Sequence, residues 1–359
     1  MSYLFAILSG LLAALSFPTI VGGVHFPNLF WLAWFALVPF LLTLRQDRLW
    51  DGALRTFVFG FFWNGLTSYW IFNALYFNGQ LSLVASLGVL AFMATGMAAM
   101  QSIFVVMALG LSRRFRLPWI LALPCAWTFY EWTRNYLPFG GYPWSNLGYS
   151  QAPWLTLIQS ADLFGVYGIS FLIVLCNVAL TEFIRALRSR SRLPWFPITT
   201  AALFLLAFLC YGLVRLPQIE TSMKYSKSLA VGLVQPNIGP EYKWRLELNA
   251  QIEGLLDRAT RQATDQGARF VVWPETVLPT ALPLELSEFK PLNDFSVPVL
   301  LGIISMEQIP GRIQPLIYNS ALQVEPGGHF SGRQHKQHLV PLGEYVPLRK
   351  ILWFVEPIA

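Results

Sequence analysis

The residues best suited to chemistry lie in two short segments near the end of the chain. In Val271-Val272-Trp273-Pro274-Glu275-Thr276 a carboxylate follows a β-branched run and a proline. The proline fixes the backbone, so Glu275 projects from the end of a buried strand, where open α/β sheets place their sites. A glutamate in the first turn of a following helix, favoured by the helix dipole, has the same local sequence. About sixty residues later, His335-Lys336-Gln337-His338-Leu339-Val340-Pro341-Leu342-Gly343-Glu344-Tyr345-Val346-Pro347 brings an ammonium, two imidazoles and a second carboxylate. A carboxylate can accept a proton and an ammonium can stabilise a developing anion. Taken alone, Lys336 reads equally as a solvated surface cation. His335 and His338 have no Cys or carboxylate at ligand spacing, so neither a metal nor another cofactor is expected.

The elements that must position these residues follow from short β-branched runs. Segments 229–235, 269–273, 297–305 and 318–324 read as buried strands. Between the first two, Leu248, Ile252, Leu255, Leu256, Ala259 and Ala263 recur at helical spacing, with Arg258, Arg261 and Asp265 on the polar side. Strand, helix, strand predicts a layered α/β sheet. The P-loop, dinucleotide, serine-hydrolase and zinc-protease signatures are absent from the sequence, which argues against those chemistries.

Ahead of this α/β part lies a stretch of different character. The chain is 55% hydrophobic and 12% charged, with mean hydropathy +0.49, outside the range of soluble globular chains. Seven apolar runs, 3–24, 28–44, 54–77, 82–111, 117–134, 158–184 and 196–214, approach the length a membrane-spanning helix needs. The first is interrupted by Pro18, Gly22 and Gly23; with no basic residue before it and no small-residue cleavage site, it reads as an uncleaved helix. Ahead of Arg215 stand eleven arginines and five acids, which carry the whole net charge of +6; from Arg215 onward the charges balance. The excess therefore belongs to membrane loops and points to no nucleic acid. Ten of the eleven arginines fall on alternate loops, with only Arg134 on the others. The positive-inside rule then predicts a cytoplasmic N-terminus and, after seven spans, an external domain from residue 215.

One loop is too elaborate for a connector: Glu131-Trp132-Thr133-Arg134, then Leu137-Pro138-Phe139-Gly140-Gly141-Tyr142-Pro143-Trp144-Ser145-Asn146-Leu147-Gly148-Tyr149-Ser150-Gln151. It reads either as an interfacial aromatic belt or as a Glu131–Arg134 pair holding the loop against a lipid headgroup or the outer domain.

Taken together, the WPET segment, the KxHLVPLGEYVP segment, the seven apolar runs and the GYPWxxxGYSQ-type loop resemble the bacterial apolipoprotein N-acyltransferases along the whole chain. The resemblance implies a polytopic α-helical membrane domain, residues 1–214, followed by a periplasmic nitrilase-like (carbon-nitrogen hydrolase) αββα sandwich domain from 215 to 359. It implies a multi-pass protein of the bacterial inner membrane, expected as a monomer. Its partners would be a membrane phospholipid as acyl donor and a diacylated apolipoprotein as acceptor. The chemistry implied is ping-pong acyl transfer through a cysteine thioester. Glu275 matches the family's general base, Lys336 the cation that stabilises the oxyanion, Glu344 a second carboxylate beside them, and Trp244 an aromatic near the lipid entrance. The family's nucleophilic cysteine is expected some tens of residues beyond the GEYVP segment, whereas Cys125, Cys176 and Cys210 all lie in apolar spans. Such cysteines read as buried small hydrophobes. The chain is thus expected to be C-terminally incomplete and inactive alone. Two other readings remain: a non-catalytic membrane scaffold that binds lipid and lipoprotein, and a transporter in which Glu131, Arg134 and Asp162 line a path.

Overall fold

A chain solvated by lipid must pair its own backbone groups, and the first 225 residues do so mainly as helix. The computed structural model describes the protein except residues 19, 22–23, 26–28, 45–47, 139, 244, 279, 289–294, 342–343, 347–349 and 351–359. It divides into two units, Met1–Tyr225 and Ser226–Ala359. In the first unit α1 (Ser2–Leu15) leads into a small antiparallel hairpin of β1 (Ile20–Val21) and β2 (Val24–His25). Then follow α2 (Val38–Leu41), α3 (Leu49–Thr67), α4 (Tyr69–Asn73), α5 (Leu83–Phe115), α6 (Trp119–Arg134), α7 (Leu155–Ile158), α8 (Ala161–Ser189) and α9 (Trp195–Tyr225).

Among the described residues, α5, α8 and α9 are each long and apolar enough to cross a bilayer. Helix α5 ends with Arg113 and Arg114 in its last turn and α8 with Arg188. These arginines thus meet the negative ends of helix dipoles. Helix α9 continues ten residues past Arg215, through Pro217.

The apolar run expected as one helix over 28–44 is broken. It forms a 3-10 turn, Phe30–Trp34, and then the short α2, yet Ala33, Ala36, Leu37, Phe40 and Leu41 are buried. Irregular backbone at such depth needs polar partners, and other helices supply them as side chains. Asn177 of α8 accepts from Leu37 N–H at 3.0 Å and donates to the Ala33 carbonyl at 2.8 Å. Ser9 of α1 accepts from Phe40 N–H at 2.9 Å. Arg185 of α8 donates to the Leu41 and Leu44 carbonyls at 2.8 and 3.0 Å, and Arg55 of α3 donates to the Thr43 carbonyl. Around this segment Phe40 stacks on Phe59 and Trp63 on Trp127, with ring centroids 4.9 and 5.2 Å apart.

The second unit is a mixed sheet. Its strands are β3 (Val231–Leu233), β4 (Phe270–Val272), β5 (Ala281–Pro283), β6 (Val299–Glu307), β7 (Leu316–Val324) and β8 (Phe330–His335), in the order β3-β4-β6-β7-β8. The first three of that order run parallel, and β7 pairs antiparallel with both β6 and β8. Strand β5 pairs parallel with β6 further along it, Ala281 opposite Ile304, whereas β4 pairs near the start of β6, Val272 opposite Leu300. Two short helices, α10 (Pro240–Lys243) and α11 (Asn249–Asp265), link β3 to β4. Ile252 and Leu256 of α11 join Val271, Val299, Leu301, Ile303, Leu322 and Val324 in one core. Register and alternation put the strand members of that core on one face; Leu233 and Ile317 lie on the other, 78% and 67% exposed. The four expected strands and the helix are present, but β3, expected to be buried, is largely exposed because it ends the strand order. Strands β5 and β8 were not expected: β5 is three residues with a proline, and β8 is largely exposed with the polar sequence FSGRQH.

Asn177→Ala leaves the Leu37 N–H and the Ala33 carbonyl buried without their partner, a loss on the order of 2–5 kcal/mol. We expect a lowered thermal-unfolding midpoint of the detergent-solubilised chain. Thr199→Ala, at an exposed site on α9, should leave it unchanged.

Candidate active site

Glu275 owes its position to a gap in strand pairing. The chain leaves β6 after β4 and rejoins it as β5, and in between the turn 274–277 faces Gly302 of β6. Gly302 N–H donates to the Pro274 carbonyl at 3.2 Å and its carbonyl accepts from Val277 N–H at 3.2 Å. A Cβ on residue 302 would lie 2.4 Å from Glu275 Cα and 2.7 Å from Thr276 N. Only glycine lets the two backbones approach this closely. Thr276 takes φ +44°, which a β-branched residue rarely adopts and which the surrounding bonds must hold.

Lys336 follows β8 directly, and its N–H donates to the Asn319 carbonyl of β7 at 2.8 Å. Its ammonium donates to Glu344 Oε1 at 2.8 Å and approaches Glu275 Oε1 at 3.4 Å. The Asn319 side-chain amide donates to Glu275 Oε1 at 2.5 Å and to Glu344 Oε1 at 3.3 Å. Glu344 is tied locally as well: Oε2 accepts from Val340 N–H at 2.8 Å, and Glu344 N–H donates to the Val340 carbonyl at 2.9 Å. The Glu275 side chain is 64% exposed, against 30% for Lys336 and 26% for Glu344. The base candidate therefore faces solvent while the ammonium is shielded between two carboxylates.

Electrostatics follow from these contacts. The bond to Glu344 holds Lys336 above the ordinary lysine value against the opposing effect of burial, and Glu275 adds to the rise. Burial pushes Glu344 upward, but the Lys336 ammonium, the Val340 N–H and the Asn319 amide outweigh it and hold the carboxyl below its usual value. Lys336 is thus a fixed cation near neutral pH. A fixed cation beside an exposed carboxylate suits proton removal next to a developing oxyanion.

The structure brings Glu275, Lys336 and Glu344 together; Trp244 lies outside the described residues. The histidines do not join them. His335 Nδ1 lies 2.8 Å from Ser320 Oγ and the ring stacks on Tyr318, and His338 is exposed. Three residues escaped the sequence reading. Asn319 is an amide inside a strand, a position where Asn is depleted. Gly302 is a glycine inside a strand, a mark of close backbone approach. Lys243 donates to the Glu275 carbonyl at 3.0 Å and to Thr276 Oγ1 at 3.2 Å, and no local pattern distinguishes it.

Glu131 and Arg134 are fully buried and bind the loop that follows them in their own unit. Glu131 Oε1 accepts from Leu147 N–H at 2.7 Å and Trp127 Nε1 at 2.9 Å. Arg134 donates to the Trp144 carbonyl at 2.7 Å, to Asn146 Oδ1 at 2.6 Å and to Asn64 Oδ1 at 3.3 Å. Asp162 instead pairs with Arg215 at 2.8 Å and accepts from Tyr211. Each of the three charges envisaged along a transport path is engaged in bonds of its own.

Comparison with known proteins covers both units. The family described as apolipoprotein N-acyltransferase N-terminal domain matches residues 9–179, and the carbon-nitrogen hydrolase family matches 230–354. An apolipoprotein N-acyltransferase of Geobacter metallireducens is 34% identical across 99% of this chain and 67% of its own length. Those of Methylococcus capsulatus and Brucella suis are each 30% identical, across 94% and 97% of this chain and 65% and 66% of their own lengths. The chain spans about two thirds of the length of these relatives.

The shifts of Glu344 and Lys336 set a pH window. Glu344 is lowered in the native state, so its contribution is present above the unfolded carboxylate value, about 4.3, and is lost as pH falls through the native one. Lys336 is raised, so its contribution is present below the unfolded lysine value and is lost as pH rises through the native one. The difference in unfolding midpoint between the wild-type chain and Glu344→Gln should stay constant from about pH 5.5 to about pH 9 and vanish on the acid side. Thermal unfolding across pH measures it.

Proposed function

Because this chain belongs to the apolipoprotein N-acyltransferase family, we propose that it carries the base and the oxyanion cation of a phospholipid-to-lipoprotein acyl transfer. The observation that supports this reading best is the Lys336 ammonium held between Glu344 and Glu275. In the first half-reaction Glu275 takes the proton of a cysteine thiol, and the thiolate attacks the ester carbonyl of a phospholipid. The Lys336 ammonium stabilises the tetrahedral oxyanion. The lysophospholipid oxygen leaves with the proton held by Glu275, and a thioester remains. In the second, the α-amino group of a diacylglyceryl cysteine attacks the thioester while Glu275 accepts its proton. The amide forms, and the thiolate that leaves regains that proton. Glu344 keeps Lys336 charged throughout.

None of the cysteines in the chain suits the thiol's role. Cys125, Cys176 and Cys210 belong to the apolar helices α6, α8 and α9, where a thiol behaves as a small hydrophobe rather than as a thiolate. We therefore assign none of these three thiols to the nucleophile's role. Seven crossings with a cytoplasmic N-terminus would put the sheet unit on the periplasmic face of the inner membrane, where lipoprotein acceptors are displayed. The charge pattern changes near Arg215, ten residues before the helical unit ends at Tyr225.

Two measurements test this. The purified 359-residue chain, given phospholipid vesicles and a diacylated lipopeptide, should show no acylation above background; turnover would refute the reading that Cys125, Cys176 and Cys210 are not the nucleophile. A chimera completed with the part of the Geobacter metallireducens protein that this chain does not match should acylate the peptide. In that chimera Glu275→Gln and Lys336→Ala should each lower turnover by roughly 10²–10³-fold. Wild-type rates in both variants would remove these residues from the mechanism.

A further inference from the structure

The base candidate is held from two sides, and one of the holders is a cation outside the group of Glu275, Lys336 and Glu344. The Glu275 side chain is mostly exposed, so packing does not orient it; its direction depends on the main chain of the turn and on the contacts at Oε1. On the sheet side the turn is pinned by the two backbone bonds to Gly302. On the other side the ammonium of Lys243, at the end of α10, donates both to the carbonyl of Glu275 itself and to Thr276 Oγ1. Thr276 is the residue at φ +44°. A β-branched residue leaves that conformation when the surroundings stop enforcing it, and its relaxation would swing the preceding carboxylate off Asn319 and Lys336. Burial lowers the proton affinity of Lys243 and the neighbouring Glu275 raises it, so a solvated surface lysine is a poor description of it.

We propose that Lys243 is a positioning residue for Glu275: by clamping the carbonyl of residue 275 and the hydroxyl of residue 276, it keeps the carboxylate against Lys336 and Asn319. The inference rests on the reading of Glu275 and Lys336 as a working pair. It also ties α10, and the segment that Trp244 follows, to the base, so that a displacement of α10 is felt at the carboxylate.

The test uses the whole chain in detergent micelles with 15N-labelled lysine at neutral pH. The sequence holds six lysines, and Lys336→Arg assigns the signal of interest. Glu275→Gln removes the carboxylate charge and should move the Lys336 side-chain resonance. Lys243→Met, of similar length but without donors, should move it in the same direction by a smaller amount, and Lys243→Arg should bring it back toward the wild-type position. Thr276→Val keeps the β-branched shape, removes one acceptor of Lys243 and should give a lesser shift, which covers the case in which Lys243→Met does not fold. A purely structural tether would lower the unfolding midpoint while leaving the Lys336 signal in its wild-type place. If Lys243→Met and Thr276→Val behave so while Glu275→Gln moves the signal, the positioning role is overturned and the pair stands. If Glu275→Gln also leaves the signal unmoved, the Glu275–Lys336 pairing itself fails, and the inference with it.

Discussion

A hydrocarbon environment offers no hydrogen bonds, and the helical unit is organised around that lack. At two buried places where its backbone leaves regular helix, polar side chains have been brought to meet it. The broken segment between Phe30 and Leu44 is bonded by Asn177, Ser9, Arg185 and Arg55. The loop after α6 is bonded by Glu131 and Arg134. These side chains would be expensive if unpaired, and the loops would be expensive without them. Each cost offsets the other only when the helices are assembled, so the same bonds specify the packing arrangement.

The sheet unit applies a related logic to chemistry. Its site rests on a short interruption of pairing along β6, where Gly302 lets the turn of Glu275 come within backbone contact. An ammonium is then shared by two carboxylates, with the Asn319 amide donating to both acids. Because Glu344 is also fastened to its own backbone neighbour Val340, Lys336 has a fixed partner whatever Glu275 does. That division leaves Glu275 more solvent-facing than Lys336 or Glu344, as suits the role of base proposed for it.

Much of this was legible in the chain itself. Apolar runs gave the helices because a long uncharged run has one low-energy form in lipid, and β-branched runs gave four strands because such side chains fit a pleated, half-buried surface. Strand β8 was missed because an exposed strand with polar residues and an internal glycine carries no period-two signal. The break at 30–41 was missed for a different reason: hydropathy reports that a segment is buried, and it is silent on whether lipid or protein does the burying. Glu131 and Arg134 stand out in the sequence as a pair that could hold the loop against a headgroup or the outer domain; in the structure each bonds separately to the loop itself, through partners ten to sixteen residues away.

The sequence by itself determined the division into an apolar and a mixed-charge part, the order of the principal helices and strands, and the two segments whose motifs resemble the acyltransferase family. These are local properties, set by composition, periodicity and adjacency. Tertiary structure alone decided that Asn319 bridges the two acids, that Gly302 makes room for the turn, and that Lys243 reaches the carbonyl of Glu275. Those contacts join residues 25 to 44 positions apart and depend on strand register and backbone approach. A shift of one residue in register would turn Asn319 to the opposite face of the sheet, a difference that no local reading of its neighbours can reveal.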